Sequence, residues 1–459
     1  MIKPRHRLSL FIFRRDLRLE DNTGLIAALD QSESVIPIFI FDPRQCRENE
    51  YKSNALLQFM QESIEDLERQ LKDRGGQLFL CYGESDHVIE DLLSNNPINA
   101  VFFNQDYTPF SKTRDATITA LCKQREIECY PYDDALIIPP GKGLKSDGTP
   151  YRIFTPFYRN AIQYSVALPQ SNDHHHYFTD DLKIASPFKT PYKILPTTNP
   201  NPLCPGGRQA CLTRLDALSD LSNYDKHRNF PALSSTSLLS PHLKFTTCSV
   251  REIFHVIRER VAEPESFLRE LYWRDFFTHI AYHFPHVMGH AFHPKMDSIP
   301  WDNNKLYFQA WCQGLTGFPI VDAGMRQLNE TGFMHNRVRM ITASFLIKDL
   351  HIDWRWGEKY FAQKLVDYDP AVNNGNWQWV AGTGTDAQPY YRIFNPWLQQ
   401  KKFDPDCIYI KTWLPECRDL SIQELHSWCS NSNGHLLTQY PKPIIDHSQE
   451  AARAKLLWG

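Results

Sequence analysis

Residues 1–272 contain no tryptophan, and all 11 tryptophans of the chain lie at or after Trp273. A distribution this uneven is rarely produced by chance. It indicates that the two parts of the chain have different functions.

Cysteine pairs and long apolar runs are also missing. The 11 cysteines include no CxxC pair, which disfavours both a zinc ribbon and a disulfide framework and favours a reducing, cytoplasmic setting. No apolar run approaches the roughly 18 residues of a membrane span, so no membrane partner is expected. The basic start MIKPRHRLSLFIFRRD has only a short apolar run before two arginines, which is more typical of a buried strand than of a signal peptide.

The overall composition is that of an ordinary globular protein. The chain has 459 residues, of which 42% are hydrophobic and 22% charged, and a net charge of −3. This length exceeds what one hydrophobic core usually serves, so two domains are expected. The charge balance gives no hint of a nucleic-acid partner, so a basic binding surface would have to come from the arrangement of residues.

The first third of the chain alternates apolar strand-like runs with amphipathic helical patterns. LSLFIF, VIPIFIF, QLFLCYG and AVFFN read as buried strands at residues 8–13, 35–41, 77–83 and 100–104. This alternation predicts an α/β domain with a doubly wound parallel sheet over residues 1–135. No GxGxxG follows the first strand, so the dinucleotide-binding fingerprint is absent.

Two further regions follow. Residues 136–204 are rich in proline and polar residues and are interpreted as an interdomain linker. The three histidines at 174–176 lack the cysteine or carboxylate spacing of a metal site, so a solvated loop is expected and no metal is predicted. From 205 to 459 helical periodicity dominates, which predicts a larger, mainly helical domain. The near-repeat YRIFTP (151–156) and YRIFNP (391–396) is interpreted as coincidental, because nothing around it repeats.

The segment ELYWRDFF combines unusual residues on one helical face. Glu270, Trp273, Arg274 and Phe277 stand at i, i+3, i+4 and i+7. The simpler interpretation is a surface pair between Glu270 and Arg274 beside a half-buried tryptophan. The alternative is the floor of a polar cavity that stacks a flat ligand on the indole and hydrogen-bonds it through the carboxylate.

Two other segments allow similar alternatives. In MHNRVRMITASF, Asn336 and Met340 lie one helical turn apart with two arginines nearby, as suits an anionic partner, unless the arginines are solvated and the methionine is core. In TSLLSPHL, the hydroxyl residues at 236–240 could hold phosphate oxygens or could simply cap a helix. The single tryptophans Trp311, Trp354 and Trp377 do not by themselves indicate an electron relay.

Taken together, these segments resemble the DNA photolyase/cryptochrome family, and most closely its class I members, which repair cyclobutane pyrimidine dimers. The resemblance rests on FRRDLRLEDN (13–22), TSLLSPHL, ELYWRDFF, WCQGLTGFPIVDAGMRQLNETGFMHNRVRMITASFLIKDL (311–350) and DYDPAVNNGNWQWVAGTGTDAQPYYRIFNPW (367–397). It runs in order from about residue 8 to 455 and implies an N-terminal α/β domain joined by a long linker to a helical FAD domain.

The resemblance implies a set of FAD-binding residues. Those expected on the pyrophosphate side are Tyr224, Thr236, Ser237, Leu238, Leu239 and Ser240. Those expected around the flavin ring are Arg339, Asp367, Asp369 and Asn373. Arg339 and Asp367 are expected to form a charge pair against the ring, and the neutral amide of Asn373 is expected to face its reactive nitrogen.

The implied reaction is light-driven repair of pyrimidine dimers in DNA. Reduced FADH⁻ absorbs light and passes an electron to the extruded dimer, the cyclobutane ring splits, and the electron returns. Glu270 is expected to hydrogen-bond the base carbonyls, while Trp273 and Trp379 supply aromatic surfaces. The other residues expected on the DNA side are Arg274, Asn336, Arg337, Met340, Arg392 and Gln399; the arginines are the candidates for phosphate contacts.

Electron supply and light harvesting complete the implied machinery. Trp377, Trp354 and Trp311 match the family's tryptophan triad, which carries electrons from the surface to oxidised flavin. Phe110 and Ser111 stand where folate-antenna members have asparagine and glutamate. A folate antenna is therefore doubtful, and a deazaflavin, another flavin or no antenna remains open. Leu238 replaces a common arginine, so one cationic contact is lost or moved.

Two other functions within the family stay open at this stage. A (6-4) photolyase would carry histidine near Asn336 and Met340, and His335 keeps that alternative. A cryptochrome photoreceptor tends to have aspartate or cysteine in place of Asn373 and often adds a C-terminal tail, whereas this chain stops soon after its last helical segment. A monomer without an obligate protein partner is expected.

Overall fold

The computed structural model describes residues 4–47, 49–184, 199, 202–221, 223–389, 392–430 and 439–458. The chain forms two compact units. Unit 1 comprises Met1–Ser222 and Ser237–Pro285, and unit 2 comprises Asn223–Thr236 and His286–Gly459. This division by contacts assigns residues 237–285 to the unit that contains the sheet. The domain boundaries after residues 135 and 204 that were expected from the sequence stay a prediction.

In the described part of unit 1, five parallel strands form one sheet in the order β3-β2-β1-β4-β5. The strands are β1 (His6–Phe13), β2 (Ser32–Phe41), β3 (Phe79–Tyr82), β4 (Ala100–Asn104) and β5 (Glu128–Tyr132). The four predicted strands and the parallel doubly wound arrangement are confirmed. Sequence reasoning missed β5, an edge strand that contains Pro131 and is only partly buried, because proline and polar residues are tolerated at a sheet edge.

The helices of the first 260 residues are α1 (Thr23–Gln31), α2 (Pro43–Cys46), α3 (Asn54–Asp73), α4 (Ser85–Asn95), α5 (Pro109–Gln124), α6 (Phe154–Ala161), α7 (Arg208–Asp216), α8 (Tyr224–His227), α9 (Ser240–Phe245) and α10 (Val250–Arg260). Those that follow are α11 (Glu265–His283), α12 (Lys305–Gln313), α13 (Pro319–Thr331), α14 (Asn336–Ser344), α15 (Trp354–Lys364), α16 (Pro370–Ala381), α17 (Pro396–Phe403), α18 (Ile408–Trp413), α19 (Ile422–His426) and α20 (His447–Trp458). A π-helical segment, Phe345–Asp349, continues α14, and short 3₁₀ turns occupy Ala217–Leu221, Pro285–Val287, Pro294–Ser298, Pro415–Cys417 and Trp428–Ser430.

Burial on both faces explains the composition of the central strands. Leu10, Ile12, Val101 and Phe103 are at most 2% exposed, as expected for parallel strands covered by helices. At the carboxyl edge polarity returns: the Asn104 Nδ2 donates to Asp16 Oδ2 (2.6 Å) and Asn22 Oδ1 (2.7 Å). The segment FRRDLRLEDN therefore forms a buried polar layer where β1 ends.

Unit 2 is helical around a core rich in aromatic residues. Its largest buried cluster contains Trp311, Trp354, Trp377 and Trp428. Apart from Trp273, which belongs to unit 1, the tryptophans of the chain belong to unit 2, and these four lie in its core. Among the helices that the structure describes, none is both long and apolar enough to cross a membrane, and the described residues hold no group of three His, Cys, Asp or Glu side chains suited to a metal ion.

Candidate active site

The segment TSLLS crosses the boundary between the two units. Tyr224 and Thr236 belong to unit 2, whereas Ser237 to Ser240 belong to unit 1. Leu238 has φ = 54°, a left-handed conformation that is costly for a branched side chain. The next residue, Leu239, is buried, and Ser240 begins α9 with proline at its first turn. The turn is thus a strained connection into a helix, as is common where a backbone is shaped for a ligand.

Helix α11 of unit 1 carries the predicted face of Glu270, Trp273 and Arg274. Glu270 and Trp273 are partly exposed, whereas Phe277 is buried. The Arg274 side chain is only 10% exposed, and its Nη2 donates to the carbonyl oxygens of Ala135 (2.6 Å) and Leu243 (3.3 Å). Arg274 therefore holds main-chain segments of unit 1 together. Its role as a phosphate contact stays a prediction, and these bonds direct the guanidinium into the fold.

In unit 2, Arg339 and Asp367 form the charge pair expected from the sequence. Arg339 Nη1 and Nη2 donate to the two carboxylate oxygens at 3.2 and 2.9 Å. The Asp367 side chain is 4% exposed, and that of Arg339 24%. Arg339 Nε also donates to the Met334 carbonyl at 2.7 Å. The guanidinium is thus held by three bonds, which fixes the pair beside the start of α16.

Asp369 and Asn373 lie on the first turns of α16. The Asp369 carboxylate accepts from the backbone amides of Ala371 (3.1 Å) and Val372 (3.4 Å) and so caps the helix. Asn373 is buried, and its Nδ2 donates to the Glu358 carbonyl at 3.1 Å. Because that bond fixes the nitrogen, the orientation of the Asn373 amide is set by α15.

Sequence reasoning missed a buried carboxyl beside these amides. Glu358 is 5% exposed, and its Oε1 accepts from Asn374 Nδ2 at 2.9 Å. The Asn374 Oδ1 accepts in turn from Gln378 Nε2 at 3.0 Å. Burial raises the pKa of the Glu358 carboxyl to about 7. Its position after two tryptophans of an amphipathic helix gave no signal that it would face inward.

A cluster of arginines surrounds the start of α14. The Arg337 guanidinium lies 4.4 Å from the Phe403 ring centre and donates to Asn229 Oδ1 at 2.7 Å. Burial, and then the nearby charges of Arg228 and Arg392, lower the pKa of Arg337. Like charges gathered in this way are stabilised by an anion. Arg228 and Asn229 were not predicted; they lie far from Arg337 in the chain.

The other predicted residues of α14 differ in exposure. Asn336 is exposed, and Arg337 and Met340 are partly exposed. His335 caps the helix, with its Nδ1 accepting from the Arg337 amide at 3.2 Å. Burial, and then the charges of Arg339 and Arg337, lower the pKa of His335 to about 4. The imidazole is therefore neutral at physiological pH.

The predicted tryptophan relay is buried along its whole length. Trp311 and Trp354 are 0% exposed and Trp377 is 3% exposed. Trp311 and Trp377 meet edge to face, with ring centres 6.3 Å apart. A relay that draws electrons from outside needs an end in contact with solvent, and none of these three side chains supplies one. Their assignment to the triad stays a prediction. Partly buried aromatic residues packed on the same core could supply that end, namely Trp301, Trp356 and Tyr360.

The last two predicted residues, Trp379 and Gln399, lie on α16 and α17. Trp379 lies two residues after Trp377 on α16 and is partly buried against the core of unit 2. Gln399 lies on α17 and is partly exposed. Because residues two apart on a helix point in different directions, α16 directs one indole into the core and presents the other nearer to its surface.

The residues of α14 and α16 fit a flavin ring. The polar edge of an isoalloxazine offers one N–H donor between two carbonyl acceptors, so its complement is a carboxylate, a cation and an amide. Asp367 and Asp369 supply carboxylates, Arg339 a fixed guanidinium, and Asn373 a buried neutral amide. These groups stand on α14, on the first turns of α16 and on the residues just before α16, all within one unit, and could hold FAD.

Comparison with known proteins agrees with this interpretation of the fold and of FAD as the cofactor. Two family models match the chain: "DNA photolyase" over residues 9–172 and "FAD binding domain of DNA photolyase" over residues 267–458. The deoxyribodipyrimidine photo-lyase of Synechococcus sp. is 38% identical over 98% of this chain and 96% of its own length.

Solved structures give the same result for the whole chain. An archaeal photolyase from Sulfolobus tokodaii with two FAD molecules is 43% identical, with a TM-score of 0.89 over 98% of this chain and 99% of that one. A cryptochrome from Synechocystis sp. is 28% identical, with a TM-score of 0.90 over 100% of both chains. The fold alone therefore does not separate repair enzymes from cryptochromes.

An α/β unit followed by a helical flavin-binding unit defines the photolyase and cryptochrome class of flavoproteins. With matches to both of its family models, this chain belongs to the DNA photolyase family. It is an enzyme of the photo-lyase type with FAD as its cofactor. The resemblance and the two-part architecture expected from the sequence are both confirmed.

Proposed function

We propose that this enzyme repairs cyclobutane pyrimidine dimers in DNA when it is illuminated. The observation that carries the proposal is the buried neutral amide of Asn373 beside the Arg339–Asp367 pair. An amide at this position adds no negative charge near the flavin, which suits a protein that keeps its cofactor reduced. The names of the curated relatives, with 36–38% identity, support the same reaction.

The cofactor site works through fixed charges. Bound FAD, in its reduced form, supplies the light absorption and the electron that the reaction requires. Arg339 presents a cation whose position is fixed by Asp367 and by the Met334 carbonyl, so it stabilises negative charge on the ring without reorganisation. Asn373 offers its amide in an orientation fixed by the Glu358 carbonyl. The hydroxyl-rich turn at 236–240, with Tyr224, would hold the pyrophosphate side.

The dimer would be bound by residues that remain partly accessible. Glu270 would hydrogen-bond the base carbonyls and stabilise the charge that develops there, and Trp273 would provide a stacking surface; both side chains are partly exposed. The remaining residues assigned to the substrate are Asn336, Met340, Trp379 and Gln399. These assignments follow the family motifs, and the partial exposure of each side chain supports them.

Affinity for the strand would come mainly from phosphate contacts. Arg337 and Arg392 are the predicted contacts. Arg228 is added to them, because the charges of Arg228 and Arg392 both lie close enough to lower the pKa of Arg337. The Phe403 ring centre lies 4.4 Å from the Arg337 guanidinium, so a cation–π contact helps to hold that side chain in place. Arg274 is not included, because its guanidinium is bonded within unit 1.

Trp377 would deliver electrons to oxidised flavin. It is buried on α16, on the same helix as Asn373, and contacts Phe361 at 4.9 Å and Trp311 at 6.3 Å between ring centres. Trp354 and Trp311 are candidates for inner steps only, since neither reaches solvent. The outer step would be taken by a partly exposed aromatic residue such as Trp301 or Tyr360.

A second chromophore would belong to unit 1 and would be of flavin rather than folate type. Ser111 is 1% exposed and its hydroxyl donates to Asp106 Oδ2 at 3.1 Å, so it serves the fold and not a folate. The Phe110 ring has the guanidinium groups of Arg44 and Arg114 at 5.2 and 5.9 Å from its centre. Both are paired with carboxylates, so the ring would offer a planar chromophore an aromatic surface rather than a net positive charge. The Sulfolobus tokodaii photolyase with two FAD molecules supports this choice.

The cellular setting and assembly follow from the same proposal. We propose a cytoplasmic monomer whose macromolecular partner is DNA containing pyrimidine dimers. No obligate protein partner is needed, since each of the assigned catalytic residues is supplied by this chain.

The test is light-dependent repair in vitro. The purified protein, photoreduced and mixed with a thymine-dimer oligonucleotide, should restore intact thymines under blue light and none in darkness, as measured by chromatography of the digested strand. Binding of dimer DNA without repair by fully reduced protein would point to the cryptochrome alternative, which the shared fold leaves open. Repair of (6-4) products instead of dimers would favour that enzyme type; the neutral state of His335 disfavours it.

A further inference from the structure

The indole of Trp273 lies flat against the ring of Phe154. The ring centres are 3.6 Å apart and the planes are inclined by only 5°. Tyr158, one turn further along α6, stacks on the same phenyl ring at 5.7 Å and 18°. All of these residues belong to unit 1. Trp273 also stacks on Phe277 of its own helix, at 5.5 Å and 27°, so the four rings form one continuous series.

This geometry is not the one that free aromatic rings prefer. Two electron-rich faces repel in a parallel, centred arrangement, so aromatic pairs usually adopt offset or edge-to-face contacts. The Arg269 guanidinium lies 5.2 Å from the Phe154 ring centre and 5.3 Å from that of Tyr158. A cation over these rings is attracted to their electron-rich faces and offsets part of the repulsion. The stack is therefore held together by packing between α6 and α11 and by one exposed cation.

The burial of the rings gives the stack a direction. Phe154 is 1% exposed, whereas Trp273 is partly exposed. Phe154 covers one face of the indole closely, whereas Phe277 lies further off and tilted, so the accessible part of Trp273 lies away from Phe154. A tryptophan on a helix surface would otherwise be free to change its side-chain torsions. Here the inner face is fixed, so the plane of the outer face is fixed as well.

We propose that Phe154 is a positioning residue which fixes the plane of Trp273 so that its outer face selects the flat pyrimidine rings of the extruded dimer. The proposal rests on the substrate role of Trp273 given above. A fixed plane lowers the ordering cost of stacking, and this gain applies to the two linked bases of an extruded dimer but not to an undamaged duplex. The measured quantity is therefore the ratio of affinities for dimer and undamaged DNA.

The experiment compares Phe154→Leu, which keeps apolar volume but removes the flat ring, with Phe154→Tyr, which keeps the ring. Phe157→Leu is the matched control: Phe157 lies on the same helix, is also 1% exposed, and packs on Phe276 and His279. Dissociation constants are measured in darkness for dimer and undamaged oligonucleotides with the FAD-loaded protein. We expect Phe154→Leu to lower the affinity ratio about tenfold, with Phe154→Tyr restoring it and Phe157→Leu leaving it unchanged.

The alternatives give different results. Equal loss in Phe154→Leu and Phe157→Leu, or an unchanged ratio in Phe154→Leu, would overturn the proposal, since the first indicates general packing and the second no role. If Phe154→Leu does not fold, Arg269→Gln tests the same stack at an exposed position: a fall in the ratio supports it, while equal weakening for both DNAs indicates a phosphate contact and contradicts it. Trp273→Ala tests the substrate role of Trp273 separately from the positioning role of Phe154. An unchanged ratio in that variant would remove Trp273 from the substrate site and with it the assignment on which this proposal rests.

Discussion

Arg339 and Asp367 are joined by two hydrogen bonds, of 3.2 and 2.9 Å, although 28 residues separate them in the chain. The carboxylate is 4% exposed, so the pair is nearly dry on its acidic side. The pair links α14 to the approach of α16, the two helices whose residues are assigned to the flavin.

Asp367→Asn should release FAD and destabilise the protein. The variant keeps the side-chain shape but leaves Arg339 without its countercharge. Because Arg339 is 24% exposed, we expect a loss of about 1–3 kcal/mol, below the value for a fully buried pair. The control is Asp302→Asn, which breaks the exposed Arg453–Asp302 pair and should cost less than about 1 kcal/mol. Equal FAD retention by the two variants in gel filtration would remove the pair from the cofactor site.

Trp377→Phe should block photoreduction of oxidised flavin and leave repair by chemically reduced enzyme largely intact. The indole is 3% exposed and lies between Phe361 and Trp311, so phenylalanine fills most of its space but is much harder to oxidise. The measurements are the absorption change under light and the repair yield after dithionite reduction. Single phenylalanine variants of Trp301, Trp356 and Tyr360 then identify the outer step. Parallel loss of both activities in Trp377→Phe would contradict a relay role.

Glu270→Ala should reduce the repair yield more than it reduces dimer binding. The carboxylate is assigned to the base carbonyls, and removing one polar contact leaves a partner unsatisfied at a cost on the order of 1–3 kcal/mol. Glu270→Gln keeps a hydrogen-bonding group without the charge, so its repair yield should lie between those of the wild type and Glu270→Ala. The repair yield per absorbed photon and the dissociation constant in darkness are measured on the same samples. An unchanged yield in Glu270→Ala would exclude it from the reaction site.

Gly357→Ala should destabilise unit 2. A Cβ at Gly357 would lie 2.2 Å from Cη2 and 2.4 Å from Cζ3 of Trp377, and a rigid indole in a packed core cannot move aside cheaply. We expect a loss of about 1–3 kcal/mol, measured by denaturant unfolding. Gly141→Ala is the control, because a Cβ there meets nothing within 4 Å. If Gly357→Ala is as stable as Gly141→Ala, α15 and α16 are less tightly packed than the structure shows.

Glu358 should make stability depend on pH. Burial raises the pKa of its carboxyl to about 7 in the folded protein, above its value in an unfolded chain, so its protonated form favours folding. That contribution is complete below the unfolded pKa of about 4.3 and is lost as the pH rises to about 7. Relative to the wild type, Glu358→Gln should therefore gain up to about 3 kcal/mol between pH 4 and 8. A constant difference between the two unfolding free energies across that range would contradict the prediction.

Much of the sheet could be predicted from the sequence because parallel strands buried on both faces leave a continuous apolar run. β1 and β4 are of this kind. β5 was not predicted, because it is an edge strand with Pro131 and exposed residues. The contact between α9–α11 and the rest of unit 1 also left no local sign, since helical periodicity shows that a helix has an apolar face but not which unit covers it.

The site divides in the same way. The Arg339–Asp367 pair was expected from motif position and is present. Asp369 was assigned to the flavin, which stays a prediction, and the structure adds that it caps α16. Arg274 was a candidate for phosphate contacts although its side chain is 10% exposed, and the three tryptophans of the predicted relay are buried, because residue type does not report burial for arginine or tryptophan. Phe154, Glu358 and Arg228 were missed, because each acquires its neighbours only through tertiary contacts.

The division of the chain has a consequence for how the protein is made. The chain passes from one unit to the other between residues 222 and 223, 236 and 237, and 285 and 286, so neither unit is a continuous stretch. A ribosome that has released the whole sheet has not yet released α9, α10 or α11, which complete unit 1. Synthesis therefore cannot deliver a finished first unit before the second has begun. A fragment cut at residue 205, however natural it looks in the sequence, would separate unit 1 from its own helices.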